Sequence, residues 1–432
     1  MQILLSLSIA LLAGLMLSRV AKLLQLPAVT AYLITGIFIG PYCLGAFGVK
    51  GLGFISMADI KSYSLLCDIA LGFIAFSIGN EFRLSQLKKI GKQATVVGIF
   101  QAVTATLLVD GVLILLHLLM PDKLPLPATL ILGAIASATA PAATLMVVKQ
   151  YKAKGPLTDI LLPVVALDDA VGLVLFAISF GVAKAILSGV IDVVSILVNP
   201  LLEIVLSLGL GAVMGFLFSW CERFFHSRSK RLAVSVGFVM LTIGLSMLKF
   251  EFGKVHISFS SLLVCMMLGT IFCNICDFSE ELMDRVDRWT APLFVLFFVL
   301  SGAELELSVF TDIMIVLIGL VYLLTSSIGK SSGAFFSAKW TKCDDNIVKY
   351  LGVTLLPQAG VALGMAIKSA DLGLPIIANI TLFAVLIYEL VGPMLTKIAL
   401  LKAGDINPEG KTSARHEHAK KKAEQAVENT QN

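Results

Sequence analysis

Residues 161–176 read LLPVVALDDAVGLVLF, with Asp168 and Asp169 side by side in an otherwise apolar run. The run belongs to a stretch, 157–187, that is long enough to cross a bilayer as a helix. A carboxylate at the centre of such a helix costs about 3 kcal/mol, so two adjacent ones without a local base are not structural filler. Neighbouring side chains point about 100° apart around a helix. The two aspartates therefore face different surroundings and need different partners.

The rest of the chain supports the membrane setting. It has 432 residues, 57% hydrophobic and only 14% charged, with a mean hydropathy of +0.93. Soluble domains average about a quarter charged. Soluble enzymes, nucleic-acid-binding modules and disordered proteins are excluded on this ground. Met1 leads directly into apolar sequence without a basic segment or small-residue cleavage site, so the first twenty residues read as a span and not as a leader.

Apolar stretches predict about thirteen transmembrane helices, at 3–24, 28–47, 63–82, 94–120, 128–150, 157–187, 193–224, 232–249, 258–276, 289–302, 309–339, 347–370 and 376–402. The tenth is short and follows the amphipathic stretch SEELMDRVDRW. With the amino terminus outside, the cytoplasmic loops collect most Lys and Arg, among them Arg19, Lys22, Arg83, Lys88, Lys89, Lys92, Lys149, Lys152, Lys154, Arg228, Lys230, Arg231, Lys339 and Lys342. The outer loops carry few, such as Lys50, Lys61 and Lys123. The polar tail 403–432 is expected to be a disordered cytoplasmic extension, with His416 and His418 solvated rather than metal-binding.

Thirteen divides as six, one and six, the inverted-repeat plan of secondary transporters, with a linking helix between the halves. The fifth span contains SATAPAAT, 137–144, and the twelfth contains LLPQAGVALG, 355–364. Helix breaks are expected at Ala140 and Pro141, and at Pro357, Gln358 and Gly360, because proline lacks an N–H and clashes with the carbonyl four residues back. Residues 137–141 and 355–359 should be non-helical and cross near the membrane centre. Freed backbone at that depth is tolerated only where it lines protein or water.

The eleventh span carries Lys330 in LTSSIGKSSGAFF, the one Lys or Arg left inside a span, between Ser and Gly that allow close helix approach. A carboxylate pair and one lysine at midplane are equipped to trade protons for a small hard cation. Na⁺ is the metal expected at Asp169, with freed carbonyls and Thr139 as further oxygen ligands. Asp110, Glu203, Glu389, Asp68, His117 and His256 read as structural or interfacial, and Cys273 and Cys276 in FCNIC as packing residues.

Several motifs resemble those of the cation/proton antiporter superfamily, particularly its second, bacterial-type branch. LPAVTAYLITGIFIGP (26–41), DIALGFIAFSIGNEFRLSQLKK (68–89) and YELVGP (388–393) are similar to its opening, third-helix and closing motifs. ALDDAVG and IGKSSGAFFSAKW resemble the paired-aspartate and lysine helices of electrogenic sodium/proton antiporters. The resemblance implies an all-α membrane fold with two crossing discontinuous helices. It implies a scaffold and dimerisation domain of 1–93 with 232–308, a core ion-transport domain of 94–188 with 309–402, and a linker helix within 189–231. It further implies that Asp169 carries the ion and proton, with Asp168 paired to Lys330. Ala140 stands where relatives often place an acidic residue, removing one cation ligand.

The function expected is exchange of Na⁺, or Li⁺, for H⁺ at the cell membrane by a homodimer embedded in the lipid bilayer, without enzymatic activity or a cofactor. K⁺/H⁺ exchange on the same fold and sodium-coupled symport of an organic anion are the alternatives.

Overall fold

The computed structural model describes residues 2–24, 26–49, 53–80, 82–188, 198–225, 227–248, 250–252, 255–276, 279–305 and 310–406. In chain order the helices are α1 (Gln2–Leu23), α2 (Ala28–Ile39), the short α3 (Met57–Lys61), α4 (Ser64–Asn80), α5 (Leu84–Leu119), α6 (Leu126–Ser137), α7 (Pro141–Tyr151), α8 (Pro156–Ser188), α9 (Asn199–Glu222), α10 (Arg228–Ser246), α11 (Ser261–Ile275), α12 (Ser279–Glu304), α13 (Ile313–Trp340), α14 (Asp345–Thr354), α15 (Gly360–Lys368) and α16 (Pro375–Ala403).

Among the described residues, ten stretches are long and apolar enough to cross a membrane, counting the broken α6–α7 as one; α4 and α11 are shorter apolar helices. With the broken pair α14–α15, helix occupies every span read from the sequence. Three boundaries differ. The second span leaves the α-helix after Ile39, where Gly40 and Pro41 intervene, and continues as a 3₁₀ turn at Leu44–Phe47. The fourth starts at Leu84, and the tenth at Ser279, because their amphipathic leading turns continue the same helices. One exception to the all-α reading is a two-stranded antiparallel ribbon, β1 (Phe250–Phe252) and β2 (Val255–Ile257). Residues 193–197 of the seventh span and most of the tail, with His416 and His418, lie outside the described residues.

The inverted repeat is visible in the packing. α2 lies against α12, and α4 against α11. The second and third spans of one half thus meet the third and second of the other. Both contacts run through paired glycines. A Cβ on Gly36 would lie 2.0 Å from the Val299 carbonyl oxygen, and one on Gly302 2.2 Å from that of Leu33. In the other contact, Gly79 would collide with the Met266 oxygen at 1.9 Å and Gly269 with the Phe76 oxygen at 2.3 Å. The sequence carries the same duplication: IGNEF at 78–82 corresponds to SGAEL at 301–305.

α5 and α13, the fourth spans of each half, cross by the same device. Gly329 and Gly333 stand so close to α5 that a Cβ on either would lie 2.7 Å from the Cα of Ala105 or Gln101. Small residues one turn apart are how helices approach closely in lipid, where no hydrophobic force separates helix from solvent. This contact presses Lys330, between the two glycines, into the interior, where it is fully buried.

Gly329→Leu is therefore expected to force α13 off α5 and to lower the melting temperature in detergent, since overpacking costs about 1–3 kcal/mol. Gly111→Leu on the same α5 meets nothing within 4 Å and should melt as the wild type does. Equal melting of the two variants would contradict the close crossing.

Candidate functional site

The breaks in the fifth and twelfth spans build the site. Residues 138–140 and 355–359 leave the helix, and Pro141 and Gly360 restart it as the first residues of α7 and α15. Ser137 and Pro141, expected within the first break, are the terminal residues of its flanking helices. The segments cross: the Ala140 N–H donates to the Pro357 carbonyl at 2.7 Å. Each crossing leaves a helix end with unpaired carbonyls and a helix start with unpaired N–H groups, carrying partial negative and positive charge.

Three side chains satisfy the carbonyl ends. Gln358 Nε2 donates to the Ala136 oxygen at 3.0 Å, joined by Ser326 Oγ at 3.4 Å. Lys330 Nζ donates to the Ala138 oxygen, to the Leu355 oxygen at 3.2 Å and to Thr139 Oγ1 at 3.3 Å. An ammonium has three N–H donors, and here all three are spent on the two breaks.

Thr139 in turn donates its hydroxyl to Asp168 Oδ2, and Gln101 on α5 donates its amide to Asp168 Oδ1. Lys330 and Asp168 are thus linked through Thr139 and make no direct ion pair. The expected pairing becomes a bridge, because α13 delivers the ammonium to the break carbonyls first. Thr139 is accordingly engaged with Asp168 and Lys330 and not with Asp169.

Asp169 contrasts with its neighbour. It is 3% exposed, and neither carboxyl oxygen has a hydrogen-bond partner. A buried ionised carboxylate left in this condition costs several kcal/mol. Such a group is stable only when its charge is neutralised. Asp168 has donors on both oxygens; Asp169 has none, as the 100° offset along α8 requires.

Beneath this centre a cavity of about 1040 Å³ opens between α1, α2 and α12 on one side and α7 and α8 on the other. Leu162 and Pro163, on the helix that carries the aspartates, line it, and so do Asp159, Glu280, Asp284 and Asp287. Lys149 on α7 reaches across it to Asp287 on α12 at 2.6 Å.

The remaining sequence candidates are dispersed. Asp110 lies against Gly133 with Oδ1 unpartnered. Glu203 accepts from Ser258 Oγ at 3.1 Å, and His117 Nδ1 is 2.7 Å from the Leu124 oxygen. Cys273 Sγ lies 3.5 Å from the Phe82 oxygen, a helix-packing contact. Sequence reasoning overlooked Gln101, a neutral amide in GIFQAVTAT that signals far less than a buried charge.

Thr139→Val removes the hydroxyl between ammonium and carboxylate while keeping shape. It is expected to fold, because Lys330 retains both carbonyls, and to lower the transport rate at least tenfold; Thr139→Ser should restore most of it. Vesicle transport assays on both variants check this, and a fully active Thr139→Val would refute the bridge.

No curated protein matches the sequence. Solved structures do. The chain is similar to the sodium proton antiporter MjNhaP1 from Methanocaldococcus jannaschii at pH 8, with 20% identity, a TM-score of 0.66, and coverage of 93% of this chain and 99% of that one. An electron-microscopy structure of the same antiporter aligns with a TM-score of 0.69 at 17% identity, covering 94% and 97%. These likenesses show the fold, an inverted-repeat antiporter fold with two crossing discontinuous helices. The family model described as sodium/hydrogen exchanger, transmembrane, matches residues 7–402. The chain belongs to the sodium/hydrogen exchanger family, within the cation/proton antiporter superfamily.

Proposed function

We propose that this protein exchanges Na⁺, and Li⁺ as a close analogue, for protons across the cell membrane, electrogenically and by alternating access. The observation that carries the reading is Asp169, a buried carboxyl with no protein donor beside an Asp168 held by two. A proton on Asp169 gives a neutral, compact site. Loss of the proton leaves a carboxylate that a small monovalent cation neutralises equally well. Binding of one excludes the other, which is what obligatory exchange needs. Oxygen ligands suit Na⁺ and Li⁺.

Lys330 supplies the reason to expect net charge movement. Its ammonium is tied to both breaks and, through Thr139, to Asp168. A cation arriving at Asp169 adds positive charge close by, weakening the hold on the lysine proton. If that proton leaves together with the one from Asp169, two protons exchange for one cation and the cycle carries charge.

The moving part would be the core, 94–188 with 309–402, sliding against a scaffold of 1–93 with 232–308 that also forms a homodimer. The linker, 189–231, joins the halves. Basic loops would place the cavity on the cytoplasmic side, with the amino terminus outside and the tail 403–432 inside.

Asp169→Asn should abolish cation-driven proton movement in vesicles, because the amide holds neither proton nor cation. Near-normal activity would defeat the proposal. Adding Na⁺, Li⁺ and K⁺ in turn to the wild type assigns the cargo, with a response to K⁺ alone pointing to the alternative exchange. Lys330→Gln is expected either to slow transport severely or to make it electroneutral, with a displaced pH optimum. Wild-type-sized currents with an unchanged pH profile, measured on a solid-supported membrane, would show that Lys330 only braces the breaks.

A further inference from the structure

A second carboxyl, on the other repeat, also has a buried oxygen without a partner. Residues 168–172 read DDAVG on α8, and residues 388–392 read YELVG on α16, the last span of the other repeat. Glu389 falls at the Asp169 place and Tyr388 at the Asp168 place. The glycine one turn on abuts a helix break in both: a Cβ on Gly172 would lie 3.4 Å from Ser137 Oγ, and one on Gly392 2.9 Å from Pro357 Cγ. Glu389 is 5% exposed, and its Oε2 has no hydrogen-bond partner. Tyr388 is anchored to α13, with its hydroxyl 2.8 Å from both the Leu323 oxygen and Ser327 Oγ, just as Asp168 is anchored to α5 by Gln101.

The two carboxyls serve opposite faces. α8 begins where α16 ends, since Thr158 N and Oγ1 donate to Asp405 at 2.6 and 2.7 Å. The helices are therefore antiparallel, as an inverted repeat requires. α12 gives Glu280, Asp284 and Asp287 to the cavity at its start and ends at Glu304 on the far face. Leu305, the residue after Glu304, is buried in one apolar cluster with Leu386 and Tyr388, so Glu389 lies towards the end of α12. Glu389 is a buried acid with an unpartnered oxygen; it does not line the cavity and sits beside the end of α12 that points to the far face.

We propose that Glu389 relays protons between the far face and Asp169, as the inverted-repeat counterpart of Asp169. The inference rests on the proton-exchange reading above. In the step, a proton from water at the far face forms an O–H bond on the Glu389 carboxylate. That bond then breaks as the proton passes inward to the Asp169 carboxylate. One proton moves and no electrons do.

The test is Glu389→Gln, which keeps size and hydrogen bonding but cannot titrate, beside Glu389→Asp, which can. Both are compared with wild type in membrane vesicles of each orientation, read by a pH-sensitive dye. Glu389→Gln is expected to lose at least tenfold in maximal rate when protons enter from the far face and to change the pH profile. Half-saturation by cation at the cavity face should stay unchanged. Glu389→Asp should keep the wild-type pH profile. Wild-type rates and profile in Glu389→Gln, or equal losses in both variants with lowered melting temperatures, would overturn the relay. Infrared difference spectra between acid and alkaline buffer need no transport and decide the case if Glu389→Gln folds poorly. A titrating carboxylic C=O band present in Asp169→Asn and lost in Asp169→Asn combined with Glu389→Asp supports the relay only if it reappears shifted, and an Asp169→Asn protein without any such buried band overturns it. If the wild type itself moves no protons in response to cation, the exchange reading fails instead.

Discussion

Broken backbone at membrane depth must be satisfied from within the protein, because lipid offers no hydrogen bonds, and the Lys330 ammonium does this for both breaks together. It holds carbonyls at the ends of α6 and α14, where two helix dipoles place partial negative charge. A neutral amide could accept and donate there but could not balance those dipoles. The close glycine crossing of α13 with α5 delivers this cation to the place where the two breaks meet. Asp168 then balances the ammonium through Thr139, at a distance that leaves room for adjustment.

That arrangement explains why two adjacent aspartates differ. Asp168 belongs to the hydrogen-bonded network at the breaks and has a donor on each carboxyl oxygen. Asp169 points away from it and has no protein donor. One carboxyl is held on both oxygens by protein donors, while its neighbour is left without any. The helix that carries both is clamped at its start by Asp405 from beyond α16, so the unsatisfied group is held by a well-anchored element.

Much of this was legible in the sequence, for energetic reasons. Runs such as 157–187 declare spans because nothing else tolerates so much apolar surface. Asp168, Asp169 and Lys330 declare a site because charge in lipid is costly, and Pro141 and Pro357 declare breaks because their rings cannot continue a helix. The partners were not legible. Gln101 and Ser326 are neutral, cheap to bury and common in membrane helices, so they give little signal although each meets a residue far away in sequence. The Asp168–Lys330 pairing implied by the resemblance takes the form of a bridge through Thr139, with the ammonium also shared with backbone carbonyls at the breaks.

The repeat itself clarifies where specific chemistry enters. Folding needs the halves to be alike: paired glycines at α2–α12 and α4–α11 make the same contact twice. Transport needs them to differ. Along the fourth spans, GIFQAVTA at 98–105 runs parallel to SIGKSSGA at 327–334, so Gln101 and Lys330 occupy matching places. One is a neutral donor to Asp168; the other is a cation on the breaks. Along the sixth, an aspartate pair matches a tyrosine and a glutamate. A perfectly symmetric molecule would place equal charge on both sides of the midplane and bind its cargo equally in two half-sites. Exchanging one amide for an ammonium, and one tyrosine for an aspartate, concentrates charge in a single centre where the two breaks meet.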